Sequence, residues 1–174
     1  VQVRNIFRAV ATEHHRPERV LEQVEHVLQR LNEPGAPFVT CCYAVLDTAS
    51  GEVVYSSCGH PPALLARGPG EVEELENCGP ALGAFEHETF VERRARLDPG
   101  DCLLLYTDGL TEALDPAGEA FGGDRVRKAF VELAGRDGIT AVRIADELVH
   151  RVVEHGASEH LADDLTLIVV RRLP

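Results

Sequence analysis

The chain has 174 residues, 44% of them hydrophobic, and carries 29 Asp and Glu against 17 Lys and Arg, for a net charge of −12. That acidity argues against nucleic-acid binding, which needs clustered Lys and Arg, and it supplies no polybasic anchor for an anionic membrane. No apolar run of about 18 residues is present and no signal-peptide pattern opens the chain, so the expectation is a cytoplasmic protein. Length and apolar content predict one domain with its own core. The cysteines (Cys41, Cys42, Cys58, Cys78, Cys102) are odd in number and lack a C-x-x-C spacing. This excludes zinc ribbons and dithiol redox motifs and predicts buried free thiols.

In chain order, Val1 to Ala11 predicts a helix with Val3, Ile6, Phe7 and Val10 on one face. It has no capping residue ahead of it, and reads as an element entered part-way. Thr12 to Arg16 is a break, where adjacent His14 and His15 read as solvated linker because no partner stands at i+4. Pro17 sits at the first position of a second helix, with Val20, Leu21, Val24, Val27, Leu28 and Leu31 as its apolar stripe and His26 on its exposed side. From Pro37 the period shortens. Phe38 to Leu46 and Glu52 to Ser57 predict a hairpin around Asp47-Thr48-Ala49-Ser50-Gly51. Gly59-His60-Pro61-Pro62 interrupts the next run, after which Ala63–Ala66 and Val72–Leu75 pair through a Gly-Pro-Gly turn. Asn77 to Ala84 reads as loop and His87 to Leu97 as a strand returning through a turn at Asp98–Asp101.

That turn leads into the most informative stretch, Asp98 to Ala113, DPGDCLLLYTDGLTEA. Cys102 to Tyr106 is too short for a helix and is bounded by turn chemistry, which predicts a buried strand. It ends in Thr107-Asp108-Gly109, an acid at the end of a buried strand followed by a glycine that lets the backbone turn. Thr111 to Gly123 reads as loop, Asp124–Ala134 as helix, and Thr140–His155 as a longer helix with Val142, Ala145, Leu148, Val149, Val152 and Val153 on one face. Thr140 is its expected N-cap and Gly156 its stop. Finally, Ala162-Asp163-Asp164 runs directly into Leu165–Val170, a second strongly strand-like segment. One strand ends in an acid and another begins with acids. Were they antiparallel neighbours, the carboxylates would meet at one end of a sheet. Carboxylates about 5 Å apart repel by roughly 3 kcal/mol at an effective dielectric near 20, so such a cluster holds a proton or a cation. Oxygen-only donors suit Mg²⁺ or Mn²⁺.

Hairpins in succession with helices toward both ends predict an α+β fold with a largely antiparallel sheet, and exclude a βαβ nucleotide-binding fold. TDGLTEA, DDLTLIVV and Gly59-His60-Pro61-Pro62-Ala63-Leu64-Leu65, in that family's order, resemble the metal-dependent protein phosphatases of the phosphatase 2C superfamily. The closest branch is the bacterial one of the stage II sporulation protein E phosphatase, and the likeness runs from about Val1 to Arg172. It implies one phosphatase 2C-like domain over residues 1–174, an antiparallel β-sandwich flanked by helices in four αββα layers. It also implies two Mn²⁺ or Mg²⁺ ions that activate water for hydrolysis of phosphoserine or phosphothreonine, so no nucleophilic Ser or Cys is required.

Carried over residue by residue, Asp108 and Asp163 match the family's metal aspartates. Asp164 ranks below Asp163, since strand alternation aims the two apart. Gly109 reads as backbone support. His60 could serve as a general acid, but a structural hydrogen-bonding role weighs more at a strand break before two prolines. His160, three residues before Asp163, could join a His–carboxylate metal site but reads better as a loop residue, and Glu112 reads either as support behind the metal ligands or as a solvated loop acid. The family's early aspartate, in a Gly-Asp-x-x-Gly-His-Gly-like segment, has no counterpart here, so the sequence reads as truncated at its N-terminus, with a partial metal complement and weak turnover expected. The resemblance implies a phosphoprotein substrate of the anti-sigma-factor-antagonist type in a partner-switching pathway, and leaves a homodimer open. The competing reading is a non-catalytic phosphatase-like module that binds partners.

Overall fold

The computed structural model describes residues 2–31, 38–68, 70–85, 89–156 and 164–173. In chain order the elements are α1 (Gln2–Glu13), α2 (Pro17–Leu31), β1 (Cys41–Leu46), β2 (Glu52–Cys58), β3 (Ala63–Ala66), β4 (Val72–Leu75), β5 (Arg93–Arg96), β6 (Cys102–Tyr106), a 3₁₀ turn (Asp108–Leu110), α3 (Gly123–Ala134), α4 (Ala141–Gly156) and β7 (Leu167–Arg171). All strand ladders among them are antiparallel. The chain divides into two compact units, residues 1–60 with 76–96, and residues 61–75 with 97–174. No described helix is long and apolar enough to cross a membrane.

In the first unit the sheet order is β1-β2-β5. Helix α2 begins at Pro17, whose missing N–H costs nothing in a first turn. It buries Val20, Leu21, Val24 and Leu28, whereas Leu31, read as part of the same stripe, is 60% exposed. These side chains pack with Cys58, Leu82 and Phe90, and the apolar face of α1 joins them. The β1–β2 hairpin turns where the Asp47 carboxylate accepts the N–H groups of Ala49 and Ser50 at 2.8 and 3.2 Å, with Gly51 at φ 80°.

The strand expected over His87–Leu97 is shorter, four residues from Arg93 to Arg96. Phe90 serves the helix-facing core instead and Val91 is 52% exposed, while residues 86–88 lie outside the described set. Nor is β5 the hairpin partner of β6: it pairs with β2, and β6 pairs with β3 and β7. The 98–101 turn is tied elsewhere. The Gly100 N–H, at φ 96°, donates to the Arg172 carbonyl at 2.8 Å, and the Arg172 N–H returns to the Asp101 carbonyl at 3.1 Å.

In the second unit the order is β4-β3-β6-β7. The register sets Leu64 opposite Leu104 and Leu65 opposite Leu103, and all four are buried, so β6 is covered on both faces. A strand paired on both sides and covered on both faces reads as a continuous apolar run, which is why CLLLY does not alternate. Helices α3 and α4 close one of those faces with Val126, Phe130, Leu133, Ile144, Leu148 and Val152. The stripe of α4 is thus Ile144-Leu148-Val152, and Val142, expected on it, is 68% exposed. Thr140 caps the helix, its hydroxyl accepting the Arg143 N–H at 3.2 Å.

The two helices are also joined by charge. The Arg151 guanidinium bonds both oxygens of Glu132 at 2.9 Å, and Arg136 adds a contact of 2.7 Å. Arg151 first and Arg136 second hold the Glu132 carboxyl at about 2, below its ordinary 4.5. A depressed folded-state pKa stabilises above the unfolded value and is lost as pH falls toward the folded one. With the Glu132 side chain 49% exposed, solvent screening limits the contribution to about 1 kcal/mol. Glu132→Gln should therefore unfold in slightly less urea than wild type at pH 7, with the gap shrinking as pH drops below 4.5. A gap independent of pH would point to packing instead of charge.

All five cysteines are free thiols, with Cys58 and Cys102 fully buried. Cys41 and Cys58 face each other across β1 and β2, their sulfurs 3.6 Å apart in a thiol–thiol hydrogen bond and not a disulfide. Burial pushes Cys42 up to about 11 and raises Cys102 as well, so neither is a thiolate nucleophile at neutral pH.

Candidate functional site

Strand β6 ends at Tyr106, opposite Leu167 at the start of β7. Antiparallel pairing therefore brings the exit of one and the entry of the other, Thr107-Asp108-Gly109 and Asp164-Leu165-Thr166, to one end of the sheet. Thr107 extends the ladder by donating its N–H to the Thr166 carbonyl at 2.9 Å. Its hydroxyl accepts the Thr166 N–H at 2.9 Å and lies 3.2 Å from the Asp164 carbonyl oxygen as donor. The chain then enters the 3₁₀ turn. The Thr107 carbonyl accepts the Leu110 N–H at 3.0 Å, and the Asp108 carbonyl accepts Thr111 and Glu112 at 2.7 and 2.8 Å.

This turn presents the Asp108 side chain to solvent, with Oδ1 accepting the Gly109 N–H at 3.1 Å. Among the described residues no cationic side chain pairs with it. Gly109 is buried, and a Cβ there would lie 2.6 Å from the Asp164 carbonyl oxygen and 3.3 Å from the Leu165 Cα. Its φ is outside the left-handed region. The requirement for glycine is thus close approach of two backbones, where the sequence suggested freedom to turn. Asp164 is exposed at the same end. Asp163 and His160 lie outside the described residues. Glu112 is exposed in the following loop. His60 follows β2 in the first unit, where its carbonyl accepts the Asn77 side-chain N–H at 2.9 Å, and Asn77 in turn accepts the Ser57 hydroxyl at 2.8 Å. Gly59 before it stands at φ 59° against Ala81.

The family model of stage II sporulation protein E matches residues 1–173. The chain belongs to the SpoIIE family. Phosphoserine phosphatase RsbU of Bacillus subtilis is 26% identical over 163 residues, which is 90% of this chain and 45% of RsbU. The crystal structure of the RsbU and RsbW domains of Rv1364c from Mycobacterium tuberculosis matches with a TM-score of 0.76 at 29% identity, covering 99% of this chain and 47% of that one. The SiaA-PP2C domain of Pseudomonas aeruginosa, at 19% identity, shows the fold alone, with a TM-score of 0.83 over 97% of this chain and 67% of that one. The fold is therefore the α+β fold of PP2C-type phosphatases. The chain spans less than half the length of the curated relatives it matches.

For a SpoIIE-family chain the donors at this end of the sheet fit a hard divalent cation in kind. They are carboxylate oxygens, exposed, and among the described residues no cationic side chain neutralises Asp108. In number the described set is small: no group of three or more His, Cys, Asp or Glu side chains gathers among the described residues. Sequence reasoning passed over Thr107 and Thr166, whose bonds bind the two acidic segments together. A hydroxyl residue directly ahead of the Asp-Gly pair was the available signal.

Proposed function

We propose that this chain provides a metal-dependent phosphatase activity toward phosphoserine or phosphothreonine in proteins. The carrying observation is the clasp of the Asp108 turn onto the Asp164–Thr166 strand entry at one end of a sheet. The SpoIIE-family membership and the phosphoserine phosphatase RsbU as a relative support it. Two Mn²⁺ or Mg²⁺ ions are the proposed cofactors, with Asp108 and Asp163 as ligands and Asp164 beside them. When bound, such ions supply a water of lowered pKa and offset phosphoryl charge. The chain's own part is positional. Asp108 contributes a carboxylate on a turn fixed by three backbone hydrogen bonds, Gly109 permits the close approach, and no side-chain nucleophile takes part. The proposed substrate is a phosphoprotein of the anti-sigma-factor-antagonist type in the cytoplasm, a reading supported by RsbU and by the RsbU and RsbW domains that Rv1364c combines.

Phosphate release from a phosphoserine protein of this type is the test. Turnover should appear with millimolar Mn²⁺, fall at least about 100-fold with excess EDTA, and return when Mn²⁺ is restored, because the ions account for several kcal/mol of the barrier. Release indifferent to EDTA would remove the metal from the reading. No release under any metal would leave a partner-binding module.

A further inference from the structure

We infer that Thr107 is a positioning residue, whose hydroxyl holds the Asp164–Thr166 strand entry against the Asp108 turn and thereby sets the geometry in which that end of the sheet takes a divalent cation. The inference rests on the metal-site reading above and names a residue that reading does not include.

The argument comes from the ladder. With Tyr106 opposite Leu167, the next pair is Thr107 opposite Thr166. In an antiparallel hydrogen-bonded pair the two residues exchange both N–H···O bonds. Here one of the two is made, from the Thr107 N–H to the Thr166 carbonyl at 2.9 Å. The other is not available, because the Thr107 carbonyl has swung into the 3₁₀ turn and accepts the Leu110 N–H at 3.0 Å. The Thr107 hydroxyl stands in for it and accepts the Thr166 N–H at 2.9 Å. As a donor the same hydroxyl lies 3.2 Å from the Asp164 carbonyl oxygen and 3.4 Å from that of Thr166. One side chain therefore lets β6 leave the ladder early enough to form the acidic turn, while β7 stays registered against it. Valine at this position would keep the shape and the β-branch but offer neither acceptor nor donor. Serine would keep both.

This predicts a split between variants. Thr107→Val should fold, bind Mn²⁺ about 10–100-fold more weakly, the range typical of losing a group that orients a metal ligand, and raise the Mn²⁺ concentration for half-maximal phosphate release in parallel. Thr107→Ser should stay within about 3-fold of wild type in both. Mn²⁺ binding is read without turnover, by electron paramagnetic resonance of the free ion. Amide exchange of Thr166 should accelerate in Thr107→Val and not in Thr107→Ser. Thr107→Ala serves the same comparison should the valine variant not fold. Asp108→Asn separates this inference from its foundation. If Asp108→Asn leaves Mn²⁺ binding and turnover unchanged, the metal-site reading fails first. If Asp108→Asn abolishes both while Thr107→Val melts lower but binds Mn²⁺ as wild type does, Thr107 is only structural and the positioning role is overturned.

Discussion

Asp108→Asn is expected to reduce phosphate release by about 1,000-fold or more at every Mn²⁺ concentration, with thermal stability close to wild type. The substitution changes charge and little else. The bond that the Asp108 carboxylate makes within the described residues is the 3.1 Å contact from the Gly109 N–H, and an asparagine carbonyl oxygen accepts it equally well. The backbone bonds that shape the turn are accepted by the Thr107 and Asp108 carbonyls and are indifferent to the residue 108 side chain. The side chain is exposed, so no buried charge is created or lost. What disappears is one anionic oxygen donor for a dication, and dication stabilisation of a phosphoryl displacement accounts for several kcal/mol, each 1.36 of which is about tenfold in rate. A titration of Mn²⁺ into both proteins, with phosphate release and melting followed together, provides the measurement. A variant within about tenfold of wild type at saturating Mn²⁺ would remove Asp108 from the site.

The edges of β3 and β4 were legible in the sequence to the residue, because a Gly-Pro-Gly turn bounds them and both are short. Strand β5 was not. Phe90 looks like one position of an alternating strand, but its burial is against the helix-side core of the first unit, and no local pattern distinguishes the two. The β5–β6 pairing misled for a similar reason. A tight turn between two strand-like runs is a hairpin signal, yet partner choice was settled by bonds between Gly100, Asp101 and Arg172, some seventy residues apart in sequence. In α4, Val142 and Ile144 belong to overlapping stripes, and packing against β7 and α3 selects the phase that contains Ile144. At the site, Asp108 announced itself as an acid ending an apolar run. The backbone role of Gly109 was legible and the hydroxyl of Thr107 was a signal, but neither shows its partner locally, since both meet Asp164, whose separation from Thr107 is 57 residues.

Gly109→Ala should lower kcat/KM by about 100-fold while leaving the protein folded, since displacements of about 1 Å at a reacting centre have effects of that size. Alanine is conformationally permitted here, because the φ of Gly109 is not in the left-handed region. The conflict is one of space. The added Cβ would stand 2.6 Å from the Asp164 oxygen, 3.1 Å from its carbonyl carbon and 3.3 Å from the Leu165 Cα. All three are backbone atoms, so no flexible side-chain tip can move aside, and the two segments must separate. Overpacking of this kind costs about 1–3 kcal/mol. The contacts that yield first are the Thr107 hydroxyl bonds, at 2.9 to 3.4 Å and partly open to solvent. Stretching them loosens the strand entry that carries Asp164 relative to Asp108. Gly118→Ala is the control: it stands at φ 84° with nothing within 4 Å of its added Cβ, so it strains the backbone without crowding it and should lower stability while sparing turnover. Denaturant unfolding and phosphate release measured on both variants separate the two effects. Wild-type turnover in Gly109→Ala would mean that the two strand ends tolerate separation, and that the acidic end of the sheet is not the reacting centre.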